Sequence, residues 1–130
     1  MAFVMRIPEF QVMGPGKFKD RHGRTDAVTF VQQVAGAPHA GVWRPGKWIK
    51  EAQPGAIPPG VAIATFNSEG RFINDKLGCH AAIYLTHDNH RILVLDQWPL
   101  QGEVRRRSIL FDVKPDTERG ADGKTFYVIE

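Results

Sequence analysis

Residues 25–38 read TDAVTFVQQVAGAP and carry the strongest helix signal in the chain. Thr25 and Asp26 are both residue types that cap helix N-termini. Apolar residues then recur at spacings of three and four, at Ala27, Phe30, Val31 and Val34. Gly36 and Pro38 end the pattern. The spacing predicts a helix of roughly ten residues, which is too short to be stable unless its apolar stripe packs on another layer.

Short strand-like runs follow this helix, and turn-forming residues separate them. The runs lie at 61–66, 80–86, 91–98, 103–111 and 124–129. The intervening residues 37–60 are rich in proline and glycine, and we expect a turn or a single helical turn at 43–50. A helix followed by about five strands with hairpin-length connections predicts an α+β fold, with the helix packed on an antiparallel sheet.

The length of 130 residues fits one domain. We therefore expect a single domain at 1–130, with a lead-in segment at 1–24 that contains at most one short strand, the helix at 25–36 and the sheet at 61–130. The hydrophobic share of 42% and charged share of 24% are ordinary for a globular protein. Disordered and fibrous classes are therefore excluded.

The net charge indicates which classes of partner are possible, and the cysteine count decides whether the chain can form a disulfide. Seventeen Lys and Arg against fourteen Asp and Glu give a formal charge of +3, which suits an anionic partner. The one tight basic run, Arg105–Arg107, is better explained as the solvated part of an edge strand than as a nucleic-acid site, so no nucleic-acid partner is expected. Cys79 is the only cysteine, which excludes an internal disulfide. No apolar run approaches the ~20 residues of a spanning helix, and the N-terminus lacks the pattern of a signal peptide.

His80 faces a polar residue across the expected hairpin of 80–86 and 91–98. A three-residue loop at 87–89 places Asp96 opposite His80, whereas a two-residue turn at 88–89 places Gln97 there. We favour Asp96, because a carboxylate both orients an imidazole and stabilises its protonated form. A histidine–carboxylate pair is often only a structural hydrogen bond, so whether it is catalytic depends on which residue the helix places beside His80.

A cysteine in the first turn of the helix, beside His80, would complete a cysteine-hydrolase site. The partial positive charge of a helix N-terminus stabilises a thiolate, and the neighbouring imidazole would form an ion pair with it. The position that fits is Ala27, which has no nucleophile. Cys79 adjoins His80, and strand alternation would turn the two side chains to opposite faces. We therefore interpret Cys79 as a partly buried small residue.

Three sequence blocks resemble the NlpC and CHAP (cysteine, histidine-dependent amidohydrolase/peptidase) families. Residues 26–32 resemble the Cys-Val-x-Phe-Val-Gln signature with alanine in place of cysteine, and 80–85 resemble the block in which a histidine opens a strand. Residues 95–98 resemble the block that supplies the residue orienting this histidine. The stretches 41–46, 62–66 and 127–130 resemble more specifically the type VI secretion amidase effectors of family 3.

The resemblance implies a papain-like fold and a peptidoglycan amidase or endopeptidase that acts without a cofactor. It implies that Ala27 occupies the nucleophile position, that His80 is the general base and acid, and that Asp96 orients His80. It also implies a toxin made in the bacterial cytoplasm without a signal peptide and delivered by type VI secretion to the periplasm of target cells. Such toxins cut the diaminopimelate to D-alanine cross-link, and a cognate immunity protein occludes the cleft.

Several assignments stay open at this level. Trp43 and Trp48 either line a substrate groove or cover the core beneath a long loop, and Gln97 is a further candidate for substrate binding. The other histidines are scattered over loops without paired ligands, so no metal site is expected. An engineered replacement and an inactive natural descendant both explain Ala27, and the retained His80 and Asp96 favour the first. The alternative function is a non-catalytic wall-binding or protein-interaction module on the same fold, and a nucleic-acid-binding domain is a weaker third.

Overall fold

An antiparallel sheet of seven strands organises the computed structural model, which describes residues 2–130. Their order across the sheet is β1-β6-β5-β4-β3-β7-β2. The strands are β1 (Gly14–Pro15), β2 (Pro45–Trp48), β3 (Ala62–Thr65), β4 (Ala81–His87), β5 (Arg91–Asp96), β6 (Glu103–Leu110) and β7 (Phe126–Ile129). The predicted α+β class and antiparallel sheet are confirmed, and strands β3 to β7 correspond to the five predicted runs.

The prediction of about five strands confined to 61–130 is wrong, because β1 and β2 extend the sheet at its two edges. The turn expected at 43–50 is instead strand β2, which pairs with β7 through Pro45–Ile129 and Trp48–Tyr127. Strand β1 lies in the lead-in segment and pairs with the start of β6. Both pairings join segments about 80 residues or more apart in the chain, so no local pattern indicates them.

The sheet is buried on both faces, because side chains alternate between two apolar cores along the central strands. On β4, Ala81 and Ile83 belong to the first core, whereas Ala82 and Tyr84 belong to the second. Helix α1 (Glu9–Val12) and helix α2 (Ala27–Ala35) contribute to the first core. The second core is closed by loop residues such as Ile49.

Helix α2 lies within the expected segment 25–36, beginning at Ala27 after the predicted cap residues and ending at Ala35 before Gly36. The Asp26 side chain caps it by accepting a hydrogen bond from the Val28 backbone N–H at 2.8 Å. Gly36 ends it in the left-handed conformation with φ of 72°, which glycine adopts without steric cost. Phe30 and Val31 are fully buried in the first core. The local caps and the packed stripe therefore set the position of residue 27 at the start of the helix.

The β4–β5 hairpin has a different register from either predicted one. Its pairs are His87–Ile92 and Thr86–Leu93 near the turn, then Tyr84–Val94 and Ile83–Leu95 beyond a bulge. The Asp88 side chain accepts two backbone N–H bonds that close the turn one residue later than expected. Continued past the last pair, this register places residue 98 across from residue 80, with residue 96 at the diagonal position.

Among residues 2–130, none of the helices has the length and apolar character needed to span a bilayer. The described residues also contain no group of three or more histidine, cysteine or acidic side chains arranged to hold a metal ion.

Candidate functional site

The imidazole of His80 is bound to a buried carboxylate. His80 Nε2 lies 2.8 Å from Asp96 Oδ2, and Asp96 is fully buried at the end of β5. Because a carboxylate can only accept, Nε2 carries the proton of this bond. The other ring nitrogen, Nδ1, has no hydrogen-bond partner within residues 2–130 and is free to exchange a proton. The pair that the sequence predicted is therefore formed, although the two residues are diagonal and not directly opposite.

The backbone of His80 is held by strand β3. Thr65 Oγ1 accepts from the His80 N–H at 3.0 Å, and the Thr65 N–H donates to the His80 carbonyl at 2.9 Å. On the other side, a β-carbon at Gly120 would lie 3.1 Å from the His80 β-carbon. A larger residue at position 120 would push the 119–121 turn and the histidine apart by a few tenths of an ångström, so glycine permits the close approach. The imidazole is therefore confined by strand, carboxylate and turn.

Arg107 on β6 is a second partner of the buried carboxylate. Its Nε donates to Asp96 Oδ2 at 2.8 Å, and its Nη2 donates to the Gly120 carbonyl at 3.1 Å. The guanidinium also lies over the Trp98 ring, 5.1 Å from its centroid. Arg107 thus connects Asp96 to the turn that covers His80. The prediction that this arginine is simply a solvated edge-strand residue is wrong, because one β6 face turns toward the site.

The neighbours of Asp96 keep its carboxyl group ionised. Burial by itself raises the pKa of this carboxyl, but the hydrogen bond and charge of His80, together with Arg107, outweigh burial and hold the pKa below its ordinary value. Both partners use Oδ2, while Oδ1 is buried without a hydrogen-bond partner among the described residues. Asp96 is therefore suited to orient His80 and to stabilise its protonated form.

Asp96→Asn tests this charge through the pH dependence of stability, because asparagine resembles the protonated acid. At pH 7 we expect the substitution to lower the free energy of unfolding by about 2 kcal/mol. The native pKa is depressed, so this stabilisation is complete above the ordinary value of 3.8 and is lost as the pH falls through the native pKa. Urea unfolding across this range should show the two chains converging in stability at low pH. A difference between the two chains that does not shrink at any pH below 3.8 would contradict the assignment.

Ala27 and His80 line one cleft of about 330 Å³. Ala27 is the first residue of α2, and its helix reaches the end of the sheet where His80 precedes β4. We name this space the Ala27 cleft, and its wall also contains Asp20, Arg24, Asp26, Val28, Phe72, Asn74, Cys79, Trp98 and Pro99. Position 27 and His80 therefore border the same space.

Cys79 lies in the wall of the same cleft, contrary to the expectation from strand alternation. Residues 79 and 80 precede β4, so the alternation of a strand does not apply to them. Burial raises the pKa of the Cys79 thiol, and the charges of Asp26 and Asp75 raise it further, although Arg119 lowers it. A thiol in this environment stays protonated, which disfavours it as a nucleophile.

The three residues assigned to substrate binding lie outside the walls of the clefts around His80. Trp43, which directly follows the 3-10 turn Ala40–Val42, is 1% exposed and packs in the first core against Phe72. Trp48 stacks on Tyr127 and donates to a carbonyl of the chain. Gln97 is fully buried, and its Nε2 donates to the carbonyls of Phe18 and Asp26. Gln97 thus ties the start of α2 to the sheet and does not contact His80.

Sequence reasoning missed Trp98, Arg107 and Gly120. The Trp98 ring contacts the His80 ring edge-on, with centroids 6.0 Å apart. In the predicted strand run 91–98, Trp98 lies two residues after Asp96 and so shares a face with it, which is a signal that the sequence does contain, although β5 itself ends at Asp96. Arg107 is diagonal to Asp96 across the β5–β6 pairing, which depends on a register that the sequence leaves open.

Comparison with known proteins identifies a family. A protein described as type 6 secretion amidase effector 2 (Tae2) has a similar structure, with a TM-score of 0.76 and 23% identity over 98% of this chain and 94% of that chain. At this identity the likeness shows a common fold. None of the curated proteins matches the chain in sequence. The sequence model of the domesticated amidase effector 2 family matches residues 7–129, whereas the more specific resemblance to family 3 effectors is not confirmed. Because that match spans nearly the whole sequence, the chain belongs to the domesticated amidase effector 2 family.

Proposed function

We propose that this fold carries a papain-like Cys-His-Asp site for cutting peptidoglycan peptides, and that alanine at position 27 leaves the chain without its nucleophile. The observation that supports this most is the shared cleft of Ala27 and His80, with His80 Nε2 bound to buried Asp96. The membership of an amidase effector family points to the same chemistry. Residues 1–130 then act as one amidase domain.

The reaction is acyl transfer to a cysteine at position 27. Its thiolate attacks the carbonyl carbon of the amide, and the N–H groups at the start of α2 stabilise the developing oxyanion. The His80 imidazolium donates a proton to the leaving nitrogen as the carbon–nitrogen bond breaks. His80 then takes a proton from water, which attacks the thioester and releases a carboxylic acid and the thiol.

The remaining site residues prepare His80 for both steps. Asp96 holds the Nε2 proton, which leaves Nδ1 as the nitrogen that gives and takes the proton during the reaction. The charge of Asp96 stabilises the imidazolium that pairs with the thiolate. Arg107 binds the same Asp96 oxygen as His80 and helps to keep this carboxylate ionised and in place.

The biological setting follows from the relatives by analogy. The similar structure is that of a type 6 secretion amidase effector. We extend this to the present chain as delivery by type VI secretion to the periplasm of target cells, where the substrate is the stem-peptide cross-link of peptidoglycan. A cognate immunity protein that covers the Ala27 cleft would protect the producing cell.

Ala27→Cys is the direct test. The variant should release soluble fragments from purified peptidoglycan, and mass analysis should show cross-linked stem peptides separating with gain of one water. The unchanged chain and Ala27→Ser serve as matched controls, since they keep the cleft without a thiol at position 27. A folded Ala27→Cys variant without cleavage would contradict the enzyme assignment. Cleavage that depends on Cys79, shown by its loss in Cys79→Ser, would instead move the nucleophile there.

A non-catalytic wall-binding module is the second candidate, and Ala27 itself favours it, because the chain as it stands lacks a nucleophile beside His80. On this reading the Ala27 cleft is a docking groove. Sedimentation with insoluble peptidoglycan would support it if Ala27→Cys remained inert. Failure of the unchanged chain to sediment with peptidoglycan would count against it.

A further inference from the structure

A second cleft meets the Ala27 cleft at His80. It has a volume of about 400 Å³, and Cys79, His80 and Trp98 belong to the walls of both clefts. Its other walls come from β6, from residues 77–78 and from the turn at 118–121. The residues found only in this second cleft are Leu77, Gly78, Arg107, Glu118, Gly120 and Ala121. We name it the Arg107 cleft.

The walls of the Arg107 cleft are held in place by charged groups. Arg119 forms a bidentate ion pair with Asp75 and also donates to the Gly78 carbonyl, which joins the 75–79 loop to the 119–121 turn. Arg107 holds the same turn through Gly120. The space between loop and turn is therefore defined before any ligand enters.

Arg107 is the cation of this cleft. Its Nε and Nη2 bind Asp96 and Gly120, but Nη1 has no hydrogen-bond partner within residues 2–130, and about a quarter of the side chain is exposed. The one acidic wall residue, Glu118, is exposed at the surface. A guanidinium that is fixed on one side and open on the other is preorganised to bind a carboxylate.

We propose that the Arg107 cleft is a subsite for a carboxylate on the amine-side half of the peptide substrate. The inference rests on the proposed function, since it uses the reaction to assign the two clefts. The scissile carbonyl must lie beside position 27, in the Ala27 cleft. His80 protonates the leaving nitrogen, so the amine-side half continues past His80 and Trp98 into the Arg107 cleft. A carboxylate there meets Arg107, with Glu118 favouring an ammonium group nearer the surface.

Binding to the unchanged chain tests the subsite without any catalysis. The probes are acetyl-D-alanyl-D-alanine and its C-terminal carboxamide, which differ only in the charge of the amine-side half. Amide chemical shifts of the ¹⁵N-labelled chain report both dissociation constants. We expect the carboxylate probe to bind about tenfold more tightly than the carboxamide probe. This is the effect expected of one charge-assisted hydrogen bond that remains exposed to solvent.

Arg107→Gln should abolish this preference, so that the two probes bind with a ratio of dissociation constants of about one. Because Arg107 also supports Asp96, the substitution can weaken both probes, and the ratio of the two constants removes that shared effect. Arg105→Gln is the matched control, since Arg105 lies on the same strand, pairs with Glu103 and is absent from the cleft. Glu118→Gln should increase the preference for the carboxylate.

Three results would overturn the subsite: an equal preference in Arg107→Gln and the unchanged chain, a preference for the carboxamide, or no binding of either probe at millimolar concentration. Failure of the proposed function has a different signature. Ala27→Cys would then be inert while Arg107 still governed the carboxylate preference of the unchanged chain. Conversely, cleavage by Ala27→Cys with no effect of Arg107 on the ratio would keep the function and remove the subsite.

Discussion

Replacing His80 by alanine in a chain that carries cysteine at position 27 should lower peptidoglycan cleavage at least about a thousandfold. Two losses combine in this variant. The thiol loses the imidazole that ionises it, and the leaving amine loses its proton donor. The backbone of residue 80 stays bound to Thr65, so the fold around the site is retained.

His90→Ala is the control for this measurement. His90 is exposed in the turn at the opposite end of the same hairpin, and its backbone is held by Asp88. We expect this variant to cleave at the rate of the parent with cysteine at position 27. Initial rates of fragment release, measured with all variants at one folded concentration, give the comparison. A loss of less than tenfold in the His80 variant would exclude His80 as the general acid and base.

Gln97→Ala should lower the free energy of unfolding by about 3 kcal/mol. The substitution leaves the carbonyls of Phe18 and Asp26 without their donor and opens a cavity at a fully buried position. It also releases the start of α2 from β5, so position 27 is less well placed beside His80. A chain with cysteine at position 27 should therefore lose turnover as well as stability.

Gln97→Met separates the loss of the hydrogen-bond donor from the opening of a cavity, because methionine keeps the volume of the side chain and removes the donor. We expect it to cost about 1–2 kcal/mol, less than alanine, since it also removes the unpaired Gln97 Oε1. Gln33→Ala is the matched control: its side chain also binds a carbonyl of the lead-in segment but is exposed, so its effect should stay within about 0.5 kcal/mol. Urea unfolding of the three variants gives the comparison. Equal stability of Gln97→Met and the unchanged chain would show that this bridge does not hold the helix.

Helix α2 could be predicted from the sequence because its determinants are local. The cap at Asp26, the apolar stripe and the glycine at position 36 all lie within the segment that they organise, so the helix begins at Ala27 as expected. Strand β2 could not be predicted in this way. It exists because Pro45 and Trp48 meet β7 at the sheet edge, a pairing that only the folded chain brings together.

The candidate site also combines a feature that the sequence predicts with features that it does not. The pairing of His80 with Asp96 was predicted through a register that the structure does not have. The contact forms nevertheless, because diagonal neighbours in a sheet are within reach of a histidine and a carboxylate. The hydrogen bonds of Asp88 shift the turn from its predicted position, and a bulge near Leu85 shifts the register of the hairpin. Neither effect is visible as a pattern in the sequence.

By itself the sequence determined the helix, the five strands β3 to β7 and the presence of alanine at the start of α2, since these follow from periodicity and caps within short segments. Only the tertiary structure decided that Arg107 supports Asp96, that Gln97 anchors α2, and that two clefts meet at His80. Each of these depends on contacts between segments distant in the chain, whose register and direction are set by the packing of the whole sheet.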